Sequence, residues 1–424
     1  MANIRIITSL FATYIIFAIL LNSVGTVIFQ SIQYFGVSKL DASVLEGFKD
    51  LPIAIVSFLI ASSLPRLGYR KGMMIALGAV ALACLAMPVL DAYWATKLLF
   101  FTTGSAFAVT KISIYSSVGL LTKDSQHHAS LLNILEGFFM VGVLSGYWIF
   151  SFFIDAADPT SPAWLNVYWF LAALCIANIF LLMTASLDES AARKPSADSS
   201  LLHEFRGMLA LAALPLVIAF LAAAFLYVLI EQGIGTWLPT FNSEVFHLPA
   251  RMSVQAASIY AGALAIGRFG AGGALKFIDW RMLLVICLVS TAVLIALSLP
   301  LAKNAVAGAL YTWTSAPLGA YVFPLIGFFM APVYPVLNSI MLSTLPKHKH
   351  AAMTGLIVIF SALGGTTGSL ITGRVFAVFS GPTAFYLVIP PILGILGLVF
   401  LISGLRASYR RDSLGQANAD GATR

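Results

Sequence analysis

The sequence predicts an all-α integral membrane protein of about twelve transmembrane helices, arranged as two pseudo-symmetric six-helix bundles. Three observations predict this fold class. The chain of 424 residues is 60% hydrophobic and only 10% charged, with a mean hydropathy of +0.94, whereas soluble domains carry about 25% charged residues. Its apolar stretches are long enough to cross a bilayer. One polar stretch divides them into two sets of six.

Segments of about 20 apolar residues follow one another along the chain, and a helix of that length spans the hydrocarbon core. The first six are Ile6–Phe29, Ala42–Leu64, Gly72–Leu90, Ala95–Leu121, Ala129–Ile154 and Trp164–Thr184. The second six are Leu209–Ile230 (running on toward Thr240), Ser253–Leu275, Arg281–Leu301, Leu318–Leu342, Ala351–Phe376 and Pro382–Leu405. The first segment is too long for the core of a cleavable signal peptide, so we expect it to remain in the protein.

A polar linker containing Asp188, Glu189 and Lys194 separates the two sets. It predicts an N-terminal bundle (1–187), a linker (188–206), a C-terminal bundle (207–406) and a tail (407–424). The halves also share a pattern at a constant offset of about half the chain. His128-Ala129-Ser130 precedes Gly142 and Gly146, and His350-Ala351-Ala352 precedes Gly364 and Gly368. Internal repeats of this kind are typical of secondary transporters, whose site lies near the midplane between the repeats.

Lysine and arginine predict the orientation, because cytoplasmic loops of membrane proteins carry an excess of both. With the N-terminus in the cytoplasm, the inner loops and the tail hold Arg66, Arg70, Lys71, Lys123, Arg193, Lys194, Arg206, Lys276, Arg281, Lys347, Lys349, Arg406, Arg410 and Arg411. The outer loops hold only Lys39, Arg251 and Lys303, and Lys97 lies near a helix end. This bias predicts a multi-pass protein of the inner (plasma) membrane with both termini cytoplasmic. It also argues against nucleic-acid binding as the reason for the net charge of +7.

Six ionisable side chains fall within the predicted spans: Glu46, Lys49, Asp50, Lys111, Glu136 and Glu231. Each costs roughly 2.5–3.5 kcal/mol at the centre of a transmembrane helix, so such residues are usually functional or paired. Residues three or four apart share a helix face, which predicts one patch of Glu46, Lys49 and Asp50 on the second helix. We expect Lys111 to pair with Glu136, as a switch or as a static link between helices. Glu136, Glu46 and Asp50 are the proton-coupling candidates.

A second set of polar residues in the spans supplies the substrate-binding candidates: Lys111, Glu231, Gln232, Asn22, Asn133, Asn338 and Trp237. Glu231 precedes two glycines that favour a bend in the seventh helix, and carriers often build their sites at broken helices. The asparagines can bind a hydroxyl-rich solute or link helices to each other. Trp237 is expected to be an interfacial aromatic or a platform for a sugar ring.

A third set is expected to serve gating or structure: Arg66, Gly68, Arg70, Arg268, Gly364 and Gly368. Arg268 is expected near the inner end of the eighth helix, where it would anchor the following loop. Gly364 and Gly368, like Gly142 and Gly146, form small-xxx-small pairs that allow helices to approach closely.

The loop Pro65-Arg66-Leu67-Gly68-Tyr69-Arg70-Lys71, together with the six-plus-six pattern, resembles the major facilitator superfamily, although Pro65 replaces the acid of that family's loop signature. Within the superfamily the chain resembles the fucose–galactose–glucose:proton symporters. The similar stretches are Leu67–Gly72, Leu132–Glu136, Tyr227–Trp237, Gly267–Phe269 and Gly364-Gly365 with Gly373. The two acids of fucose permease on helices 1 and 4 are absent, since the corresponding places read Asn22-Ser23 and Phe107–Lys111.

The resemblance implies a secondary active transporter that moves a small polar solute, a sugar or sugar derivative, by proton-coupled alternating access. The alternatives are an exporter or uncoupled facilitator of another metabolite or organic acid, and a non-transporting membrane receptor. The expected partners are the solute with protons and the lipid bilayer, for a protein that acts as a monomer. We expect no enzymatic activity and no cofactor. We also expect no ATP drive, because the sequence has no phosphate-binding loop. We expect no metal either, because the histidines and the three cysteines lack ligand spacing.

Overall fold

The structure, a computed structural model, describes residues 2–60, 64–122, 125–190, 208, 210–306, 308, 310–346 and 349–422. Its described residues form helices and connecting loops, with no β-strand. The predicted all-α membrane architecture is confirmed. Most of the predicted linker and five of the predicted inner-loop basic residues lie outside the described residues: Lys123, Arg193, Lys194, Arg206 and Lys347.

The N-terminal half consists of α1 (Ala2–Asn22), α2 (Val24–Tyr34), α3 (Lys39–Ser43), α4 (Leu45–Ile60), α5 (Leu64–Leu67), α6 (Tyr69–Leu90), α7 (Tyr93–Leu121), α8 (Ser125–Phe153) and α9 (Val167–Thr184). The C-terminal half consists of α10 (Pro215–Glu244), α11 (Ala250–Ala274), α12 (Trp280–Ser298), α13 (Gly319–Val322), α14 (Ile326–Met330), α15 (Val333–Thr344), α16 (His350–Val378), α17 (Gly381–Tyr386) and α18 (Ile389–Ala422). Short 3-10 turns at Pro162–Asn166, Leu299–Asn304 and Phe323–Leu325 adjoin α9, α12 and α14.

Within the described residues, 10 helical stretches are long and apolar enough to cross a membrane. The other two predicted spans correspond to α4 and α11. Helix α4 has 16 residues and carries the Glu46–Lys49–Asp50 patch. Helix α11 has 25 residues and carries Arg251, Gln255 and Arg268. Both helices bring charged side chains to the middle of the protein.

Successive spans alternate in direction, so the loops fall on two faces. The face that holds the start of α1, the α5–α6 turn and the last turns of α18 is called the terminal face, and the other is called the far face. On the terminal face, Gly68 adopts a φ of 93° between α5 and α6, a conformation that favours glycine. Arg70 ties this turn to the end of α9: its backbone N–H donates to Glu189 Oε1 at 2.8 Å, and its guanidinium donates to the Ala185 carbonyl. Arg66 is exposed.

Paired glycines hold one long helix against another in each half. In the C-terminal half, a Cβ at Gly364 or Gly368 would collide with the backbone carbonyls of Phe225 and Leu229, so α16 packs directly on α10. In the N-terminal half, a Cβ at Gly142 would lie 2.9 Å from the Ile15 carbonyl, so α8 packs on α1 in the same way. Gly146 lies farther from α1, since a Cβ there would be 3.4 Å from Ile19 Cα. Gly142 and Gly364 of the sequence repeat thus make equivalent backbone contacts in the two halves.

The break expected in the seventh helix is found in the first instead. Helix α10 continues without interruption through Gly233 and Gly235. These glycines lie against Thr372 and Tyr260, and a Cβ there would meet the neighbours at 2.8 and 3.2 Å. The helix is not broken at these glycines, because close packing offsets the roughly 1 kcal/mol that glycine costs in a helix. The first span is interrupted at Ser23, between α1 and α2.

Candidate functional site

A polar cavity of about 190 Å³ lies where the two halves meet. The N-terminal half contributes the α1–α2 junction, α4 and α8, and the C-terminal half contributes α10 and α11. The polar lining residues are Asn22, Lys49, Tyr147, Glu231, Gln232, Thr236, Tyr260 and Arg268. The volume corresponds to roughly six water molecules, which suits a solute of about the size of a monosaccharide.

The predicted patch on the second helix is present and fully enclosed. Glu46 has an exposed fraction of 0%, and Lys49 and Asp50 are also buried. The ammonium of Lys49 contacts Glu46 Oε1 closely and lies 3.5 Å from Asp50 Oδ1. Buried charges need partners of the opposite sign, and one cation here serves two carboxylates. If all three residues are ionised, the cluster carries one unit of negative charge.

The same cluster contacts the opposite half of the protein. The hydroxyl of Thr236 on α10 donates a hydrogen bond to Glu46 Oε2 at 2.8 Å. Helix α16 approaches so closely that a Cβ at Gly365 would lie 2.5 Å from Asp50 Oδ2. The charge cluster therefore forms part of the interface between the halves, and its Lys49 also lines the cavity.

Contacts between the halves continue from this cluster to the far face. Lys39 pairs with Glu244 at 2.6 Å, and the Ser369 hydroxyl donates to the Ser43 carbonyl at 3.1 Å. On the other side of the cavity, Arg251 Nη2 donates to the Ile154 carbonyl at 2.9 Å. The far face is closed over the cavity.

Trp237 belongs to this closed interface. Its exposed fraction is 0%, its Nε1–H donates to the Ser369 carbonyl at 3.1 Å, and its ring stacks on Phe376. The expectation that Trp237 lies at the membrane interface is wrong, because the indole fills the space between α10 and α16. It does not line the cavity in this conformation.

Arg268 occupies a different place from the one expected. Its guanidinium points into the cavity, where Nη2 lies 3.2 Å from Glu231 Oε1 and Nη1 lies 3.8 Å from the sulfur of Met140. The prediction that Arg268 anchors the α11–α12 loop is wrong, since the long side chain extends toward Glu231. Tyr260 adds a hydrogen bond to the Glu231 backbone carbonyl at 3.3 Å.

Asn22 lies at the end of α1 and is the only predicted asparagine among the described cavity-lining residues. Its amide donates to the Ala18 carbonyl at 2.9 Å. Just beyond the break at Ser23, Gly25 allows α2 to approach the Thr236 carbonyl directly. The discontinuous helix therefore lies at the cavity and faces α10.

The predicted pair of Lys111 and Glu136 is absent from the described ion pairs. Glu136 Oε1 instead accepts hydrogen bonds from Tyr14 at 2.7 Å and from Tyr115 at 2.5 Å. The ammonium of Lys111 lies 5.8 Å and 5.9 Å from the ring centroids of Phe107 and Tyr115. Tyr115 thus lies between the two predicted partners. The side chain of Lys111 runs along α7, beside the rings of Phe107 and Tyr115 on the same helix.

Glu136 lies one turn from Met140 on α8, on the terminal side of the cavity. Glu136 and Asn133 are exposed although Tyr14, one of the groups that bind Glu136, is buried. The carboxylate of Glu136 is therefore accessible on the terminal side of the cavity although a group that binds it is buried. In the described part of the chain, the hydrogen bonds and ion pairs between the halves lie at or beyond the level of Met140, toward the far face.

Asn338 lies apart from the cavity, on α15. It is half-buried, and its side-chain oxygen has no hydrogen-bond partner among the described residues. Its neighbour Tyr334 bonds Ser361 at 2.8 Å and stacks on Tyr227. The surroundings of Asn338 are therefore contacts between helices, and it does not line the cavity in this conformation.

The family profile described as Major Facilitator Superfamily matches residues 9–369. The chain belongs to the major facilitator superfamily. Superfamily members are transporters and not enzymes. No curated protein matches the chain by sequence.

Solved structures share the fold of this superfamily member. The nucleoside transporter NupG is 13% identical with a TM-score of 0.70, covering 94% of this chain and 98% of that one. A bacterial homologue of the human lysosomal transporter Spinster, in an inward-facing and occupied conformation, is 13% identical with a TM-score of 0.67 and 97% coverage of both chains. The E. coli fucose:proton symporter FucP is 16% identical with a TM-score of 0.58, covering 95% of this chain and 99% of that one. At such identities the likeness establishes the fold alone.

Three hydroxyl-bearing residues that line the cavity were not predicted from the sequence. Tyr147, Thr236 and Tyr260 all line it. Helical spacing offered a signal for Tyr147, because Glu136, Met140 and Tyr147 share one face of α8. Thr236 and Tyr260 offered none, since their positions depend on how α10 and α11 pack. Within the described residues no group of histidine, cysteine and acidic side chains could hold a metal ion.

Proposed function

We propose that the protein is a secondary active transporter that moves a sugar or sugar derivative by proton-coupled alternating access. The observation that carries this proposal is the buried Glu46–Lys49–Asp50 cluster. Its Lys49 lines a polar cavity of monosaccharide size, and its Glu46 accepts a hydrogen bond from Thr236 in the opposite half. A single group of side chains therefore touches the solute space and the interface that must open.

The charge of the cluster supports a role in proton coupling. Two carboxylates share one ammonium, so one proton would make the enclosed group neutral. Enclosing net charge is costly, and opening the far face would expose the cluster to water. Proton binding and closure of the far face would therefore favour each other, which is the linkage that a symporter requires.

The distribution of basic residues supports a cytoplasmic terminal face. Among the described residues, the terminal face carries Arg66, Arg70, Lys71, Lys276, Arg281, Lys349 and Arg406. The far face carries Lys39, Arg251 and Lys303, with Lys97 and Arg374 near helix ends on that side. Under the positive-inside rule this distribution supports a cytoplasmic location for both termini. The structure would then represent an inward-facing conformation, with Glu136 and Lys111 on the route between the cavity and the cytoplasm.

A second candidate function is uncoupled facilitation or export of another metabolite. One observation favours it: neither Asn22-Ser23 nor the stretch Phe107–Lys111 contains the acid that the resembled sugar symporters carry there. In that case the buried cluster would serve only to hold the halves together in the closed state.

The test is to reconstitute the protein in proteoliposomes and follow internal pH while neutral and acidic sugars are added. Solute-dependent proton entry that is lost in Asp50→Asn, with labelled-solute exchange retained, is the expected result. Exchange without proton movement in the unmodified protein would establish the facilitator instead.

Asp158→Asn provides a matched control, because it removes an exposed carboxylate in a far-face loop. The hydrogen bonds that Thr160 donates hold the pKa of Asp158 below its usual range, so Asp158 stays ionised throughout the assay. Proton entry in Asp158→Asn should match that of the unmodified protein.

A further inference from the structure

The guanidinium of Arg268 faces the cavity with hydrogen-bond donors that are not all engaged. A guanidinium carries five N–H donors in a planar fork that matches the geometry of a carboxylate. In the structure, Nη2 binds one oxygen of Glu231 at 3.2 Å, and Nη1 meets the sulfur of Met140 at 3.8 Å. The hydroxyl of Tyr227 also lies near the guanidinium. Thioether sulfur is a weak acceptor. The side chain of Arg268 is also 44% exposed, so a solute in the cavity can reach it.

Cations that line the cavity from both halves of the protein can bind a negatively charged solute. Among the described lining residues three are charged, and two of these, Lys49 and Arg268, are cations. They lie on opposite halves of the protein, on α4 and α11. The remaining charged residue, Glu231, is already bound to Arg268 and is not free to attract a cation.

We propose that the transported solute is a monocarboxylate of monosaccharide size, such as a sugar acid, and that Arg268 binds its carboxylate. The carboxylate replaces the Met140 sulfur as the partner of Nη1. The hydroxyl groups of the solute lie within the cavity that Asn22 and Gln232 also line. This inference rests on the proposed transport function and specifies its substrate class.

A single negative charge fits the site better than a phosphate ester. A phosphate group carries about −1.5 to −2 charges at neutral pH. Both cations of the cavity already have acidic partners, Lys49 two of them and Arg268 one. A dianion would leave more uncompensated charge in a small, enclosed space.

The charge balance also predicts how pH affects the binding of this solute. The charged groups at the site are Glu46, Lys49 and Asp50 on α4, Glu231 on α10 and Arg268 on α11, with the hydroxyl groups of Tyr147, Tyr227 and Tyr260 nearby. Three acids and two bases leave one negative charge, and an anionic solute adds a second. A proton on one of the acids offsets the charge that the solute adds. The anionic solute and the proton therefore each strengthen the binding of the other.

The experiment compares matched pairs of labelled solutes in proteoliposomes: glucuronate with glucose, galacturonate with galactose, and gluconate with sorbitol. We expect exchange of at least one acid to exceed that of its neutral partner at least about tenfold, the effect of one charge-assisted hydrogen bond. The affinity for that acid should rise as the pH falls from about 7.5 to 5.5, a range in which sugar acids stay ionised. The neutral partner should show no such rise.

Variants of Arg268 and Glu231 test whether Arg268 is responsible for the preference for the acid. Arg268→Gln should lose the preference for the acid, and Arg268→Lys should retain only part of it, because an ammonium lacks the planar fork. The double variant Glu231→Gln with Arg268→Gln removes the pair without leaving a buried charge unpaired, so it keeps the test valid if Arg268→Gln does not fold. Arg281→Gln, which alters an arginine on the terminal face, is the matched control and should behave as the unmodified protein.

Two outcomes would overturn the inference. Exchange of the neutral sugars at rates equal to or above those of the acids would disprove the substrate class while leaving the proposed transport function standing. An acid preference that survives in the folded double variant would remove Arg268 from the role. If a folded protein exchanges neither member of any pair, both the inference and the proposed sugar-type function fail.

Discussion

The hydroxyl of Thr236 donates a hydrogen bond of 2.8 Å to Glu46, and this bond joins the two halves of the transporter at a buried charge. The oxygen that accepts it has no exposed surface, and the other oxygen of Glu46 contacts Lys49. Thr236 is therefore the neutral partner that completes the environment of Glu46 when the far face is closed. Opening the far face must break this bond.

Thr236→Val should shift the protein toward the state that is open at the far face. Valine keeps the shape of threonine but leaves a charged oxygen without its donor, a loss of about 1.5–3 kcal/mol. A shift of this size raises the population of the open state at least about tenfold. Thr240→Cys is a suitable reporter, because Thr240 is buried one turn beyond Thr236 on α10 and the native cysteines are buried.

The measurement is the rate at which an impermeant maleimide labels that cysteine from the far face. Thr236→Ser keeps the hydroxyl and serves as the control, with labelling close to that of the parent protein. Equal labelling rates in the valine and serine variants would show that the bond to Glu46 does not hold the far face closed.

The ion pair of Lys39 and Glu244 should contribute much less to closure than Thr236. Both side chains are partly exposed at the far face, and surface ion pairs are worth about 0–1 kcal/mol. Lys39→Gln should therefore raise the labelling of the same reporter by less than about fivefold. The rise should become smaller at high salt, where screening already weakens the pair. A salt-independent rise as large as that of Thr236→Val would contradict this ranking.

Gly368→Ala should destabilise the protein strongly. The added methyl group would collide with the Leu229 carbonyl, and a backbone atom in a packed helix cannot move aside as a side chain can. Overpacking of this kind costs typically 1–3 kcal/mol, which we expect to appear as a clear fall in the melting temperature in detergent. Gly397→Ala is the matched control, because a Cβ there meets nothing within 4 Å. Alanine favours a helix over glycine, so this control should melt no lower than the parent.

Local spacing predicted some of the candidate site, and tertiary packing decided the rest. Glu46, Lys49 and Asp50 could be placed together from sequence because three- and four-residue spacing fixes one face of one helix. The environment of Trp237 could not be predicted from sequence, because it is formed by segments that are far apart in the chain. The orientation of the Arg268 side chain toward the cavity could not be predicted either. It depends on a flexible side chain and on Glu231, which lies on a neighbouring helix. The membrane spans were predictable because their length and apolarity are properties of continuous sequence.

The surroundings of Glu136 give a prediction that separates its two possible partners. Tyr115 donates a hydrogen bond to the carboxylate at 2.5 Å, whereas no described ion pair joins Lys111 to it. In double-mutant cycles on melting temperature and solute exchange, Tyr115→Phe should couple to Glu136→Gln by about 0.5–3 kcal/mol. Lys111→Gln should show a coupling to Glu136→Gln at least two times smaller, because Tyr115 lies between the two groups. A stronger coupling of Glu136 to Lys111 than to Tyr115 would mean that the two charges meet in another conformation of the transport cycle, and Glu136 would then pair with lysine during transport.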